Sequence, residues 1–275
     1  RLSSTGGSQR IQMQNITGEM RVLFVPSRPD YLLWSVDYSQ MEARLAAWFA
    51  KDKERALRFD LPGFNEYKLA ASVFLGIPAA DVPKDKAPDS PYHKAKTIVL
   101  GTDRALGAAK IARTNDIPEG EVKEMLRKWK AMIPKTMAWQ ANVGNQAKQD
   151  KMLYNPFGRR GLFYSLSAYT EGISFLPQST GADVIFRGMI GLMYPRIEWP
   201  LELVKKLMQV VVPLPPEARL LLQVHDELVG ECPRSQIEEV KGVLKAVLEQ
   251  PWAELDGLTL PVNFSSGENW MEMTA

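Results

Sequence analysis

Leu220-Leu221-Leu222-Gln223-Val224-His225-Asp226-Glu227-Leu228-Val229-Gly230-Glu231-Cys232 sets two largely apolar runs around a short polar tip. Apolar runs of this length, broken by a few polar residues, read as the two strands of a hairpin. Toward the other end of the chain, Leu32-Leu33-Trp34-Ser35-Val36 reads as a buried strand that ends at Asp37. A last strand candidate runs from Leu258 to Phe264. Between these ends the pattern is helical: Gln40 to Ala50 with Ser39 as N-cap, Phe64 to Leu75 closed by Gly76 and Pro78, and Tyr92 to Ala112. Glu119 to Met132, Lys135 to Lys148 and Ala168 to Tyr194 continue it, and Gln236 to Leu248 is a clear amphipathic helix near the end. The stretches Asp81 to Pro91 and Asn155 to Gly161 read as loops, the second one basic. Strands at both ends and helices in the middle predict an α+β fold, a sheet-based domain interrupted by a helical insertion.

The bulk numbers narrow the function. The 275 residues suffice for one large domain or two modest ones, and 45% apolar with 24% charged residues is ordinary for a globular chain. No apolar run is long enough for a membrane span, so no membrane partner is expected. Arg1 opens a polar, Ser/Gly-rich stretch without a secretory pattern, and a start other than Met is expected of part of a longer chain. The single cysteine, Cys232, excludes an intrachain disulfide and a Cys-rich zinc site. The expected setting is reducing and cytoplasmic. A net charge of +2 announces no polyanion partner, so nucleic-acid contact would rest on local clusters. Candidates are Lys94/Lys96, Arg104/Lys110/Arg113 and Arg159/Arg160, although each alone is more often a solvated face than a phosphate site.

Two carboxylates carry the chemistry. Asp37 ends a buried strand, and Asp226 sits beside Glu227 at the hairpin tip. A carboxylate against apolar strands is costly unless its charge is compensated. One compensation is a divalent cation, and the other is the start of the following helix, which Asp37 would cap. Two Asp on neighbouring strands would give Mg²⁺ the oxygen ligands it needs without His or Cys.

Around these residues the motifs resemble those of family A DNA polymerases, the bacterial polymerase I type. Asp37-Tyr38-Ser39-Gln40-Met41-Glu42-Ala43-Arg44 resembles that family's first polymerase motif, and Gln223 to Val229 resembles its third. Arg1-Leu2-Ser3-Ser4, Gln14-Asn15-Ile16, Phe157-Gly158-Arg159-Arg160, Pro177 to Asp183 and Gly267-Glu268-Asn269-Trp270 have counterparts in the same order. The resemblance implies a right-hand polymerase: a palm with an antiparallel sheet from residues 1–51 and 166–275, and a helical fingers insertion from 52–165. The thumb and any exonuclease portion would lie on the same parent chain or on a separate one. The departures noted below suggest a divergent phage- or plasmid-like member.

The same resemblance assigns roles. Asp37 and Asp226 would bind two Mg²⁺ ions, with Mn²⁺ able to replace them, helped by the backbone carbonyl of Tyr38. Glu227 would be an auxiliary catalytic carboxylate, and Lys96 would act on the triphosphate. Glu42 would exclude a ribose 2′-hydroxyl and so select dNTPs, although a helix Glu paired with a nearby Arg is the plain alternative. Gln40, His93, Leu100 and Arg104 complete the nucleotide-binding candidates. Arg1, Gln14, Asn15, Arg44, Gln178, Gln223 and His225 would touch primer-template DNA.

One helix departs from the family. Its second motif places Arg, Lys, an aromatic and Tyr at four-residue intervals, on one helix face. The matching residues here are Tyr92, Lys96, Leu100 and Arg104, of which only Lys96 is retained. Loss of the first Arg removes a bidentate phosphate partner, and His93, Lys94 or Arg104 is expected to substitute. Tyr67 and Thr170 also stand where His and Arg are common in the family. Beside template-directed DNA synthesis, two alternatives stand. One is a specialised polymerase for translesion or unusual nucleotides; the other is a non-catalytic nucleic-acid-binding descendant.

Overall fold

The structure is a computed structural model that describes residues 16, 18–85, 87–196 and 198–274. The candidates Arg1, Gln14 and Asn15 lie outside the described residues. The chain divides into two compact units, the described residues of Arg1–Ser39 with Val184–Ala275, and Gln40–Asp183. In chain order the elements open with β1 (Tyr31–Tyr38), α1 (Met41–Phe49), α2 (Lys53–Arg58), α3 (Glu66–Leu75), α4 (Pro91–Asp103) and α5 (Ala108–Asn115). They continue with α6 (Glu119–Met132), α7 (Pro134–Asp150), β2 (Met152–Tyr154), β3 (Arg160–Leu162) and α8 (Ala168–Met193). The chain ends with α9 (Leu201–Leu207), β4 (Arg219–Val224), β5 (Glu227–Pro233), α10 (Ile237–Leu248) and β6 (Val262–Gly267). The expected α+β architecture is present, with the sheet drawn from both ends of the sequence.

The sheet unit holds four antiparallel strands in the order β4-β5-β1-β6. β1 is central, which explains its composition: Leu33, Trp34 and Val36 are buried and β-branched or aromatic residues suit a paired strand. Alternation along β1 separates two faces. Trp34, Val36 and Tyr38 share one, and the Tyr38 hydroxyl donates to the Leu248 carbonyl of α10 at 3.0 Å. Leu33, Ser35 and Asp37 share the other, where Leu33 joins an apolar cluster with Val224, Val229 and Trp270. Trp34 lies opposite Gly230, and a Cβ on Gly230 would come within 2.1 Å of the indole, so this crossing admits no side chain.

The helical unit is organised by a core of Ile98, Val99, Ile111, Val122, Leu126, Trp129 and Ile133, from α4, α5, α6 and the start of α7. α3 starts where the Asn65 side chain accepts from the Tyr67 and Lys68 N–H groups and ends at Gly76, whose φ of 70° closes it. α4 starts with Ser90 accepting from the His93 N–H and Pro91 in the first turn.

Several boundaries differ from the sequence reading. α1 begins at Met41, and Gln40 rather than Ser39 occupies the cap position, at φ 53° and with no cap hydrogen bond from its own side chain. The expected helix Tyr92 to Ala112 is two helices, because Ala105 takes φ 52° and Gly107 restarts the chain as the N-cap of α5. The last strand is Val262–Gly267 rather than Leu258 to Phe264; Pro261 has no N–H to pair, and Leu258 makes only an isolated bridge to Trp252. The basic loop Asn155 to Gly161 is the end of a small hairpin, with Tyr154 paired to Arg160. The short helices α2 and α9 carry too few residues for a periodic signal and were not expected. The compact units divide the chain after Ser39 and after Asp183, whereas the palm and fingers implied by the resemblance are bounded at 51/52 and 165/166. α1 belongs with the helices because Ala43 and Ala47 pack on Phe59, and Phe49 stacks on Trp139 of α7.

Candidate functional site

In the sheet unit, strand register builds the carboxylate end. Asp37 is opposite Glu227 on β5 and opposite Asn263 on β6. The hairpin closes with Val224 opposite Glu227, which leaves His225 and Asp226 as the two-residue tip. The Tyr38 N–H donates to the Asp226 carbonyl at 3.4 Å, so the tip is held against the end of β1. His225 is exposed at φ 58°, a conformation His adopts more readily than most residues. Gln223 donates through Nε2 to the His225 carbonyl at 2.6 Å and so braces the turn. Asp37, Asp226 and Glu227 are each half-buried. Glu227 accepts a 2.5 Å bond from the Ser35 hydroxyl, the diagonal neighbour on its own face of the sheet. The Tyr38 phenol is buried on the opposite face; burial, with the charge of Glu249 second, holds it well above its ordinary value, so it stays neutral.

This donor set suits one class of cation. Among the described residues no three His, Cys, Asp or Glu side chains converge into a metal cage. Two carboxylates on adjoining strand ends, with peptide carbonyls nearby, suit Mg²⁺, which keeps waters and substrate phosphates as its remaining ligands. The cap position of α1 is Gln40, three residues beyond Asp37.

In the helical unit, the candidates meet different fates. Gln40 accepts from the Glu66 N–H at 2.9 Å and so serves the start of α3. Arg44 donates to the Phe59 carbonyl at 2.9 Å, pairs with Asp60 and covers the Phe59 ring. On α4, Tyr92 is a core residue whose hydroxyl accepts from Asn65. His93 Nδ1 lies 3.1 Å from the Pro88 carbonyl, and Lys94 pairs with Glu121 at 2.9 Å. Lys96 is exposed and lies over the Tyr67 ring at 5.8 Å, with no carboxylate partner among the described residues. Leu100 is half-buried. Arg104 caps α4 and donates from Nε and Nη2 to both oxygens of Glu42, at 3.0 and 2.9 Å. Gln178 is exposed on α8, and in the basic hairpin Arg159 pairs with Asp183 while Arg160 is exposed.

The sequence reading missed a buried charge cluster. Arg55 of α2, 2% exposed, donates to Glu66 at 2.7 and 2.9 Å, to Asp103 at 3.2 Å and to the Thr136 hydroxyl at 3.0 Å. One guanidinium thus serves two carboxylates and ties α2, α3, α4 and α7 together. Burial drives the Asp103 carboxyl up to about 7, against the pull of Arg55 and with the further push of Glu66 and Glu42. These residues stand 11, 48 and 81 positions from Arg55, and each reads in isolation as a solvated charge or an ordinary Thr.

Comparison with known proteins identifies the family and the fold. The family model for DNA polymerase family A matches residues 1–272. DNA polymerase I of Bacillus subtilis (strain 168) is 29% identical over 283 residues, covering 99% of this chain and 30% of that protein. The thermostable DNA polymerase I of Thermus aquaticus is 28% identical over 282 residues, covering 98% of this chain and 31% of that protein. This chain therefore spans less than a third of the length of these relatives. Among solved structures, the POL domain of Pol1 from M. smegmatis, in complex with DNA primer-template and dNTP, matches with a TM-score of 0.72 and 22% identity. That match covers 96% of this chain and 45% of the other, and it shows a shared fold. Motif order, strand register and the match across nearly every residue have one reading: this chain belongs to DNA polymerase family A.

Proposed function

We propose that this chain carries the nucleotide-adding part of a template-directed DNA polymerase, with Asp37 and Asp226 as its metal-binding carboxylates. The observation that carries the reading is the register that sets Asp226 at the tip beside the end of β1, in a member of this family. Asp37, Asp226 and the Tyr38 carbonyl would hold Mg²⁺, with Mn²⁺ acceptable to the same oxygens. A pair of such ions about 4 Å apart would supply activation of a primer 3′-hydroxyl and stabilisation of the departing oxygen. The substrates are primer-template DNA and dNTPs.

The remaining roles belong to side chains. Ser35 orients Glu227 by hydrogen bonding and so keeps it beside the pair as an auxiliary catalytic carboxylate. Gln223 holds the turn that carries Asp226. Lys96, exposed and without an acid partner among the described residues, is the cation of α4 that can meet a triphosphate. Glu42 would bar a ribose 2′-hydroxyl, since a buried polar group left without a partner is penalised heavily. Gln178 and His225, both exposed, remain proposed DNA contacts, as does Gln223. Arg44 would contribute through its hold on the Phe59 turn. The palm would comprise the sheet unit and the fingers the helical unit. The thumb would lie on the parent chain or on a partner.

A specialised polymerase is the second reading, and one observation favours it. Tyr92 is in the core and Lys94 is ion-paired, so the phosphate-facing cations of α4 reduce to Lys96. The test is primer extension with Mg²⁺ and each dNTP. Extension dependent on template and metal is expected. Absence of extension at high dNTP concentration would contradict the enzyme reading, and a preference for damaged template or modified nucleotides would select the second.

A further inference from the structure

Arg104 stood among the candidates for the phosphate contact that Tyr92 cannot make, and its surroundings point elsewhere. Both Nε and Nη2 are committed to Glu42, in a fork-to-carboxylate pair with separations of 3.0 and 2.9 Å. The two side chains are 34% and 24% exposed, so the pair is partly withdrawn from water and little screened. Burial pulls the Arg104 guanidinium down, but the hydrogen bond and charge of Glu42, joined by Tyr67 and Asp103, hold it above its ordinary value.

Both partners are mounted on fixed points. Arg104 follows Asp103, which Arg55 holds at 3.2 Å, and Gln140 donates to the Thr102 carbonyl at 2.8 Å. The Arg104 carbonyl itself accepts from the Ser174 hydroxyl at 3.0 Å. Gln40, two residues before Glu42, is tied to the Glu66 N–H at 2.9 Å. The backbones on either side of the ion pair are therefore anchored by separate contacts. A bidentate guanidinium fixes both the position and the plane of a carboxylate, which a single ammonium cannot do.

We propose that Arg104 is a positioning residue for sugar discrimination: it holds the Glu42 carboxylate in the orientation that selects deoxyribose, and it is not a triphosphate contact. The proposal rests on the polymerase reading above and on the role given there to Glu42. It separates two properties that one helix face would otherwise combine. Sugar selectivity follows Arg104 through Glu42, whereas triphosphate affinity follows Lys96.

Single-nucleotide primer extension by the wild type, Arg104→Gln, Arg104→Lys, Glu42→Gln and Lys96→Ala, with kcat and KM measured for a dNTP and its matching rNTP, decides it. Arg104→Gln is expected to raise the rNTP-to-dNTP ratio of kcat/KM by about tenfold or more. Arg104→Lys recovers part of the discrimination, since it restores charge without the fork. Adding Glu42→Gln to Arg104→Gln changes the ratio by less than about twofold, because the two residues act as one device. Lys96→Ala raises KM for both nucleotides by a common factor and leaves the ratio in place. An active Arg104→Gln enzyme whose KM rises equally for both nucleotides, with an unaltered ratio, would overturn the proposal and make Arg104 a phosphate ligand. A wild-type protein that extends no primer would instead remove the polymerase reading itself.

Discussion

Asp103 carries the clearest consequence at the scale of single residues. It shares Arg55 with Glu66 inside a site where all three side chains are at most 2% exposed. Three formal charges sum to minus one there, and a buried unbalanced carboxylate binds a proton more tightly. Its folded value, about 7, lies above its ordinary 3.8. Between those values the folded chain keeps a proton that the unfolded chain has released, so this group's contribution to stability falls as pH rises across the window. Asp103→Asn removes the titration and keeps a hydrogen-bond acceptor for Arg55. Thermal unfolding should therefore show the variant gaining on the wild type between pH 5 and pH 8. A difference in Tm that is the same at both pH values would contradict the charge account. The strand that ends near Asp37 and the turn that carries Asp226 were legible at this scale because apolar runs and a polar break are local patterns. The Arg104–Glu42 pair was legible only as an unspecified nearby Arg, since partners 62 residues apart meet only once α1 and α4 are packed.

The elements explain where sequence patterns stopped being sufficient. The hairpin of β4 and β5 emerged where two apolar runs flank a polar break, but its tip is His225 and Asp226 alone, since Glu227 pairs with Val224 as the first residue of β5. The break between α4 and α5 did not, because Ala105 gives no hint of its φ of 52°; the surrounding core sets it. The last strand slipped toward the C-terminus because Pro261 ends the pairing. β1 and β5 supply a test of packing. Gly230 faces Trp34, which is fully buried, and a Cβ there would come within 2.1 Å of the indole and 2.2 Å of the Arg219 carbonyl. Neither neighbour can yield easily, since one is a ring in the core and the other is backbone. Gly230→Ala should lower unfolding free energy by at least about 2 kcal/mol in urea titrations, as overpacking generally does. A change below about 0.5 kcal/mol, the ordinary scale of surface substitutions, would mean that the strand shifts freely.

At the scale of the molecule, the sequence order of strands, helices and strands becomes a sheet unit made from both ends and a helical unit from the middle. Hydrophobic periodicity changes between the ends and the middle of the sequence, which made strands at the ends and helices between them legible. The packing of α1 was not legible, because it follows closely on the strand that bears Asp37, yet its Ala43 and Ala47 pack on Phe59. No described helix is long and apolar enough to cross a membrane. Asp37 and Asp226 are the proposed metal-binding pair on which the polymerase function depends. The most direct test of this claim is primer extension by the wild type, Asp37→Ala and Asp226→Ala in Mg²⁺. Loss of about a thousandfold or more in kcat is predicted for each variant, with the fold retained by thermal unfolding. Extension by Asp226→Ala at the wild-type rate would contradict the claim.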